Sequence, residues 1–452
     1  MGVVAVVGLG YVGSVIAAVL ASKGVKIRGI DTNQTLVDAI VSGECPVAEP
    51  GLKEILNDGL ESGRLNVSTD AAAVAGAEAV LITVGTPLSE AMEADIGHIR
   101  AVCEGIAPYM SDGQLVMVKS TVPPGVTRAM YDEVLSHHAA VHMVFSPERL
   151  AEGRAIAEFS ALPMVVGGVN GAATEVGAKF WQSILPVEVI RVSSSEAAEL
   201  VKLADNLWID VNIALGNELA KLCDRLPCSL DVLEIIRGAN SLKKGQHYVN
   251  ILTPSNGVGG YCLTKDPWFI DAIASDVGLS LALPCAGRAS NDSMPNHVFE
   301  QVDGFLKGRG LRVDECPVAV LGYSFKTNSG DCRSTPVSPL LKRFRAAGYG
   351  SGLRVFDPLV TNAEARERGE ELESDWETAV KGAKAILFLT GHEAFARISI
   401  TKLAEKAAEG ALVYDGRFYF SREQITEIEG AGMVYMGVGR YGVAVPKDWG
   451  NR

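Results

Sequence analysis

Val3-Val4-Ala5-Val6-Val7-Gly8-Leu9-Gly10-Tyr11-Val12-Gly13 decides the architecture of the first part of this chain. A β-branched apolar run ends in Gly8-x-Gly10-x-x-Gly13 and passes directly into Ser14-Val15-Ile16-Ala17-Ala18-Val19-Leu20, whose pattern predicts a helix. In such a strand–turn–helix unit the first glycine permits a tight turn, and the second lets a pyrophosphate approach the backbone. The third lets the helix pack on the strand. The helix N-terminus presents free N–H groups and a positive dipole end to the phosphates. Gly8, Gly10, Tyr11, Val12 and Gly13 are therefore dinucleotide-binding candidates. A second strand, Val25-Lys26-Ile27-Arg28-Gly29-Ile30, ends in Asp31, eighteen residues after Gly13, where an acid binds ribose hydroxyls. Asp31 repels a 2′-phosphate and no arginine follows it, so NAD is predicted over NADP.

Composition sets the outer bounds. A chain of 452 residues holds two or three domains, and 48% hydrophobic with 21% charged residues suits an enzyme with large cores. A net charge of −13 offers no basic field for nucleic acid. Eight scattered cysteines form no C-x-x-C pair or Cys/His cluster, so neither disulfides nor a metal site is expected, and a reduced, cytoplasmic protein is the simple reading. Residues 3–21 lack the basic start of a signal peptide, and no run reaches the ~20 apolar residues of a membrane span.

Apolar runs alternate with helical patterns as far as about residue 190: Ala79-Val80-Leu81-Ile82-Thr83-Val84, Leu115-Val116-Met117-Val118-Lys119 and Met164-Val165-Val166-Gly167 read as buried parallel strands. Ser193-Ser194-Ser195-Glu196 then reads as a capping box. The helix it opens runs to Leu226, where Pro227 stops it, and spans roughly 45 Å at 1.5 Å per residue. Such a helix links domains and suits a dimer spine. From Pro317 the alternation restarts, without a three-glycine fingerprint, through Val318-Ala319-Val320-Leu321-Gly322, Arg354-Val355-Phe356-Asp357, Ala385-Ile386-Leu387-Phe388-Leu389 and Ala411-Leu412-Val413-Tyr414-Asp415. The expected fold class is α/β: two Rossmann-like doubly wound parallel-sheet domains joined by a helical central domain with one long helix. The expected boundaries are 1–192, 193–305 and 306–452.

Gly257-Val258-Gly259-Gly260-Tyr261-Cys262-Leu263-Thr264-Lys265-Asp266 is the second informative stretch. Glycines let substrate approach a thiol closely, Lys265 favours the nucleophilic thiolate, and Asp266 can handle protons. A glycine run before a cysteine is often only a tight turn, but beside a nicotinamide fingerprint it points to oxidation through a thiohemiacetal and a thioester on Cys262. Lys202 and Asn206 stand four apart on one helix face and can donate to an oxygen that becomes anionic. Cys45, Cys103, Cys223, Cys228, Cys285, Cys316 and Cys332 read as inert fillers.

These motifs resemble, over essentially the whole chain, the nucleotide-sugar 6-dehydrogenases, a family that includes UDP-glucose and UDP-N-acetylhexosamine dehydrogenases. The matching landmarks are the fingerprint, Glu49-Pro50-Gly51-Leu52, Val84-Gly85-Thr86-Pro87, Ser120-Thr121-Val122-Pro123-Pro124-Gly125 and Pro147-Glu148-Arg149-Leu150-Ala151-Glu152-Gly153. Lys202-x-x-x-Asn206, the Cys262 loop, Phe325-Lys326, Arg333 and Asp415-Gly416-Arg417 complete them. The resemblance implies oxidation of the C6 primary alcohol of a UDP-sugar to a carboxylate, with two NAD+ reduced. It further implies Glu152 activating the hydrolytic water and Thr121 holding a water or a substrate hydroxyl. Thr86, Thr121, Lys265 and Arg333 fall on the cofactor side; Glu148, Arg149, Leu150, Lys202, Asn206, Gly259, Lys326 and Arg417 fall on the substrate side.

The chain departs from the family pattern at Leu36, where many relatives carry a basic residue, and around Gln246-His247-Tyr248, where an arginine is usual and Lys243 or Lys244 is the candidate substitute across a dimer interface. Ser146-Pro147-Glu148-Arg149-Leu150 is closer to the N-acetylated-sugar branch, whereas Glu152 is often missing there, so the sugar stays open. The rival readings are a two-electron β-hydroxyacid-type NAD dehydrogenase, which needs no cysteine, and a non-catalytic NAD-binding protein.

Overall fold

The computed structural model describes residues 2–442 except Pro46, Ala48, 90–92, Ser229 and Gln246, and without the side chains of Lys244, His247 and Ser351. The chain forms two compact units, residues 1–205 with 268–279, and residues 206–267 with 280–452.

The first unit is built on an eight-stranded sheet of order β3-β2-β1-β4-β5-β6-β7-β8. Its strands are β1 (Val3–Val7), β2 (Lys26–Ile30), β3 (Leu65–Ser68), β4 (Ala79–Ile82), β5 (Leu115–Val118), β6 (His142–Phe145), β7 (Met164–Gly168) and β8 (Val189–Arg191). The first six have the dinucleotide-fold order, with a switch point between β1 and β4. The predicted parallel arrangement fails at one pair: β7 runs antiparallel to β6, with Val144 opposite Gly168, and then parallel to β8. A run buried on both faces carries no record of its direction. The 146–163 connection contains only the five-residue helix Ala155–Phe159, too short for the usual helical crossover between parallel strands.

A two-stranded hairpin, β9 (Lys243–Lys244) and β10 (His247–Tyr248), precedes the second sheet. That sheet has order β12-β11-β13-β14-β15-β16, comprising β11 (Val318–Leu321), β12 (Leu353–Phe356), β13 (Ala385–Phe388), β14 (Leu412–Asp415), β15 (Val434–Gly437) and an antiparallel edge strand β16 (Arg440–Tyr441). Its switch point lies between β11 and β13. Strands β11, β13 and β14 are buried throughout, as expected for a sheet covered on both faces.

The two sheets use one junction twice. Gly8 (φ +94°) donates its N–H to Ile30 O at 2.8 Å, and Leu9 N–H donates to Asp31 Oδ2 at 2.7 Å. Gly322 (φ +98°) donates to Phe356 O at 2.8 Å, and Tyr323 N–H to Asp357 Oδ2 at 2.7 Å. In the second copy the acid is also bonded to the buried His392 ring, at 3.2 Å.

The long helix is Ser195–Arg225, 31 residues. Ser194 Oγ accepts from Ala197 N–H at 3.2 Å, so one serine caps it, but the predicted reciprocal box does not form: Glu196 pairs with Arg128 at 2.5 Å instead. The helix is inverted. Glu199, Lys202, Asn206, Asp210, Asn217 and Asp224 share one face and are buried, whereas Leu200, Trp208, Leu215 and Leu222 on the opposite face are about half exposed. Among the described residues no helix is long and apolar enough to cross a membrane.

Candidate active site

The first unit holds Gly8, Gly10, Tyr11, Val12, Gly13, Asp31, Thr86, Thr121, Glu148, Arg149, Leu150, Glu152 and Lys202; the second holds Asn206, Gly259, Cys262, Lys265, Asp266, Lys326, Arg333 and Arg417.

In the first unit the fingerprint fits a dinucleotide. A Cβ on Gly13 would lie 1.8 Å from Gly8 O, so helix Tyr11–Ser22 and the turn touch backbone to backbone, whereas a Cβ on Gly10 would meet nothing within 4 Å. That open approach at the helix N-terminus is what a pyrophosphate needs. Asp31, half-buried at the end of β2, keeps one oxygen on Leu9 N–H and the other on Asn33 N–H at 2.9 Å, so the carboxylate is fixed against the turn. After β4, Thr86 Oγ1 donates to Thr121 O at 2.7 Å and ties together two of the motifs.

The turn bearing Glu152 is strapped from both sides. Glu49, buried, accepts from the Tyr11 phenol, from Gly153 N–H at 2.5 Å and from Ala155 N–H at 2.8 Å. Burial, then the carboxylates of Glu49 and Glu152, hold the Tyr11 phenol well above its ordinary range, so it stays a donor. Glu148 Oε1 accepts from the N–H groups of Arg149 and Leu150 at 2.7 and 2.9 Å, and its Oε2 lies 3.8 Å from the Lys119 ammonium. In the sequence Lys119 marks only the end of a strand. It is buried over the Trp181 ring at 5.0 Å and donates to Ser146 O at 3.1 Å; burial pushes its pKa down and Glu148 opposes that shift. Glu199, also missed, accepts from Gly125 N–H at 2.6 Å and Thr127 N–H at 2.8 Å, which fastens the loop after Thr121 to the long helix. Burial raises its carboxyl to about 7, against the pull of those donors.

In the second unit Cys262 is exposed, and its carbonyl accepts the N–H groups of Lys265 at 3.1 Å and Asp266 at 2.9 Å, where helix Asp266–Asp276 begins. Lys265 pairs with Asp266 Oδ1 at 2.6 Å, and Asn206 Nδ2 donates to Asp266 Oδ2 at 2.5 Å. A Cβ on Gly259 would come 2.4 Å from Phe325 Cβ, so this glycine is required by its packing on the β11 loop. Beneath the loop, Arg288 donates to Asp210 Oδ1 at 2.7 Å and to Leu263 O at 3.3 Å. The spacing of Lys202, Asn206 and Asp210 carries a signal for this network, because all three lie on one helix face.

A cavity of about 520 Å³ opens in the second unit, lined by Gly257 and Gly259 of the Cys262 loop and by Phe325, Thr327, Gly391, Arg417 and Tyr419. The last five follow β11, β13 and β14, so the cavity sits at the carboxyl ends of the strands beside the switch point. Arg417 donates to Leu389 O at 3.1 Å and Phe325 O at 2.8 Å; among the described residues no carboxylate is ion-paired with it, and burial draws it down to about 10. Lys326 is half-buried on the same loop, whereas Arg333 forks onto Asp331 at 2.5 and 2.9 Å. Gln246 lies outside the described residues, as do the side chains of Lys244 and His247; Lys243 stacks on the exposed Tyr248 ring at 5.1 Å. Cys103, Cys223, Cys316 and Cys332 are buried fillers as expected, but Cys228 and Cys285 are exposed and fill no core.

With a dinucleotide turn on one sheet and a cavity bearing Arg417 at the strand ends of a second, the chain is an NAD-dependent dehydrogenase. The UDP-glucose/GDP-mannose dehydrogenase family matches the chain in three parts: its NAD binding domain over residues 2–185, its central domain over 196–293 and its UDP binding domain over 319–422. The chain belongs to that family. The UDP-N-acetyl-D-mannosamine dehydrogenase of Methanococcus maripaludis is 32% identical over 399 residues, 87% of either chain. The NDP-N-acetyl-D-galactosaminuronic acid dehydrogenase of Ralstonia nicotianae is 31% identical over 434 residues, 93% of this chain and 97% of that one. The solved UDP-D-ManNAc dehydrogenase of Pyrococcus horikoshii superposes with a TM-score of 0.86 at 28% identity, covering 97% of this chain and 99% of that one.

Proposed function

We propose that this protein oxidises the C6 primary alcohol of a UDP-sugar to the carboxylate through a thiohemiacetal and a thioester on Cys262. The observation that carries this reading is the exposed Cys262 at the head of a loop whose Asp266 is bonded to both Lys265 and Asn206. NAD+, when bound, takes up one hydride at each oxidation. Lys202 and Asn206 donate to the substrate oxygen as it becomes anionic. Cys262 adds as thiolate to the aldehyde carbon, because an aldehyde has no good hydride to give until a nucleophile adds. Glu152 takes the proton of the water that cleaves the thioester, and Thr121 orients that water.

In this reading residues 1–192 bind NAD, 193–305 carry the long helix and Cys262, and 306–452 bind the UDP-sugar. On the cofactor side stand Gly8, Gly10, Tyr11, Val12, Gly13, Asp31, Thr86, Lys265 and Arg333; on the substrate side stand Glu148, Arg149, Leu150, Gly259, Lys326 and Arg417. Arg417, which faces the cavity and has no ion-paired carboxylate among the described residues, suits a diphosphate. The N-acetylated sugars named for the relatives make UDP-N-acetylhexosamines the first substrates to try, with UDP-glucose beside them. The apolar outer stripe of the long helix suits a homodimer, and eight scattered cysteines without a C-x-x-C pair suit the cytoplasm.

The test is a panel of UDP-sugars with NAD+ and with NADP+, counting reduced cofactor per sugar. Two NADH per sugar consumed and little use of NADP+ support the reading. One NADH per sugar, with the aldehyde as product, overturns it.

A further inference from the structure

Glu49-Pro50-Gly51-Leu52 marks the family, yet the chemistry above leaves it without a task. Glu49 is 7% exposed and both of its carboxylate oxygens are engaged. Among the described residues no cation is ion-paired with it. Three donors hold it instead: the Tyr11 phenol and Gly153 N–H on Oε2, and Ala155 N–H on Oε1. A buried carboxylate with no counter-charge is costly unless such donors satisfy it, so the arrangement demands a reason.

The donors come from two places. Tyr11 is the first residue of the helix that opens from the dinucleotide turn. Gly153 and Ala155 belong to the turn that carries Glu152, and Gly153 has φ +82°. The other flank of Glu152 is also pinned, by Ala151 N–H on Glu158 Oε2 at 2.7 Å and by Arg154 N–H on Ala151 O at 3.0 Å. All of these groups lie in the first unit.

We propose that Glu49, with the Tyr11 phenol, is a positioning residue for the hydrolytic half of the reaction: it fixes the 151–155 turn so that the Glu152 carboxylate meets the attacking water. The inference rests on the thioester reading above. In that step the water oxygen bonds to the acyl carbon and its proton passes to Glu152. The carbon–sulfur bond breaks and its electron pair leaves on Cys262 as thiolate, with no oxidant or reductant consumed. The hydride transfers need the dinucleotide turn but not the Glu152 turn. Loss of Glu49 therefore slows one half of the reaction and spares the other.

The experiment compares Glu49→Gln and Glu49→Asp with the unmodified enzyme by rapid mixing with NAD+ and the preferred UDP-sugar, following NADH and the intact mass. Glutamine at 49 turns its amide N–H toward the Gly153 N–H or, flipped, toward the Ala155 N–H, donor against donor either way. The expected result is a first-turnover NADH burst within about twofold of the unmodified rate and a steady-state rate about tenfold lower, with the enzyme heavier by one sugar acyl group at steady state. Glu49→Asp, which keeps the charge but draws it back by one methylene from the Gly153 and Ala155 N–H groups, should lower the steady-state rate about threefold with the same burst and the same accumulation, and it decides the matter should Glu49→Gln not fold. A burst and steady state that fall together, a steady state without acyl-enzyme, or unchanged kinetics each overturn the proposal. Cys262→Ser in the otherwise unmodified protein separates the two ideas. If it traps no acyl group, the thioester reading fails; if it does and Glu49→Gln accumulates none, only the role of Glu49 fails.

Discussion

Asn206 and Asp266 meet through a hydrogen bond of 2.5 Å, sixty residues apart in the chain and 6% and 0% exposed. Asp266 carries Lys265 on its other oxygen at 2.6 Å, so one carboxylate joins the polar face of the long helix to the loop that presents Cys262. Removing that charge takes the carboxylate of its ion pair from the buried Lys265 ammonium, which costs about 3–5 kcal/mol, whereas removing the neutral Asn206 donor costs about 1–3 kcal/mol. Asp266→Asn should therefore lower the melting temperature clearly more than Asn206→Ala does. Equal losses in thermal melts would show that the Lys265 pair is not what makes the loop rigid.

Cys262→Ala should lose four-electron turnover by several powers of ten, each worth about 1.4 kcal/mol of barrier. Cys262→Ser should give at most a stoichiometric burst of NADH, because its ester hydrolyses slowly. Near-normal uronic acid production by Cys262→Ala, assayed by product analysis, would reduce Cys262 to a loop residue.

Arg417 tests the cavity. Arg417→Leu removes the cation that faces it and should weaken UDP binding by about tenfold to a hundredfold, roughly 1.4–2.8 kcal/mol, with NAD+ affinity within about twofold. Calorimetry with UDP and NAD+ separately reads both. Undiminished UDP binding would place the diphosphate elsewhere.

Glu199 sets a pH dependence of stability. Its folded carboxyl titrates at about 7 against an ordinary 4.5, so between these values the folded state holds more protons than the unfolded one. Stability contributed by the protonated form is complete below the ordinary value and declines as pH rises toward about 7, by at most about 3 kcal/mol. Melting curves from pH 5 to 8 should fall more steeply for the unmodified protein than for Glu199→Gln. Parallel curves would mean the two backbone donors keep Glu199 ionised throughout.

The exposed stripe of the long helix is the fifth test. Trp208 and Leu215 are 51% and 47% exposed, one heptad apart. Trp208→Glu with Leu215→Glu should convert a dimer to a monomer in light scattering, without loss of helical circular dichroism. A protein that is already monomeric before substitution would end that reading.

How much was legible beforehand differs by element. The Gly8–Gly13 turn and Asp31 were readable because a phosphate-binding turn is local: the spacing of three glycines is its geometry. The Ser194 cap was half readable, since a serine run names the helix start but not which competitor, Arg128 or the backbone, takes Glu196. Strand β7 was found but its direction was not, because burial on both faces writes the same apolar run either way. Glu49, Lys119 and Glu199 could not be assigned their work, for each bonds to groups tens of residues away.

The long helix shows most clearly where each source of information ends. Its sequence alone determined a helix with two unlike faces, Lys202, Asn206 and Asp210 on one and Trp208, Leu215 and Leu222 on the other. Ordinary amphipathic logic would bury the second face. Only the tertiary structure decided the opposite, because Asp266, Arg288 and Asn291 bring partners that satisfy the polar face in the interior. Periodicity fixes which residues share a face; whether that face is inside depends on long-range partners, and these exist only once the chain is folded.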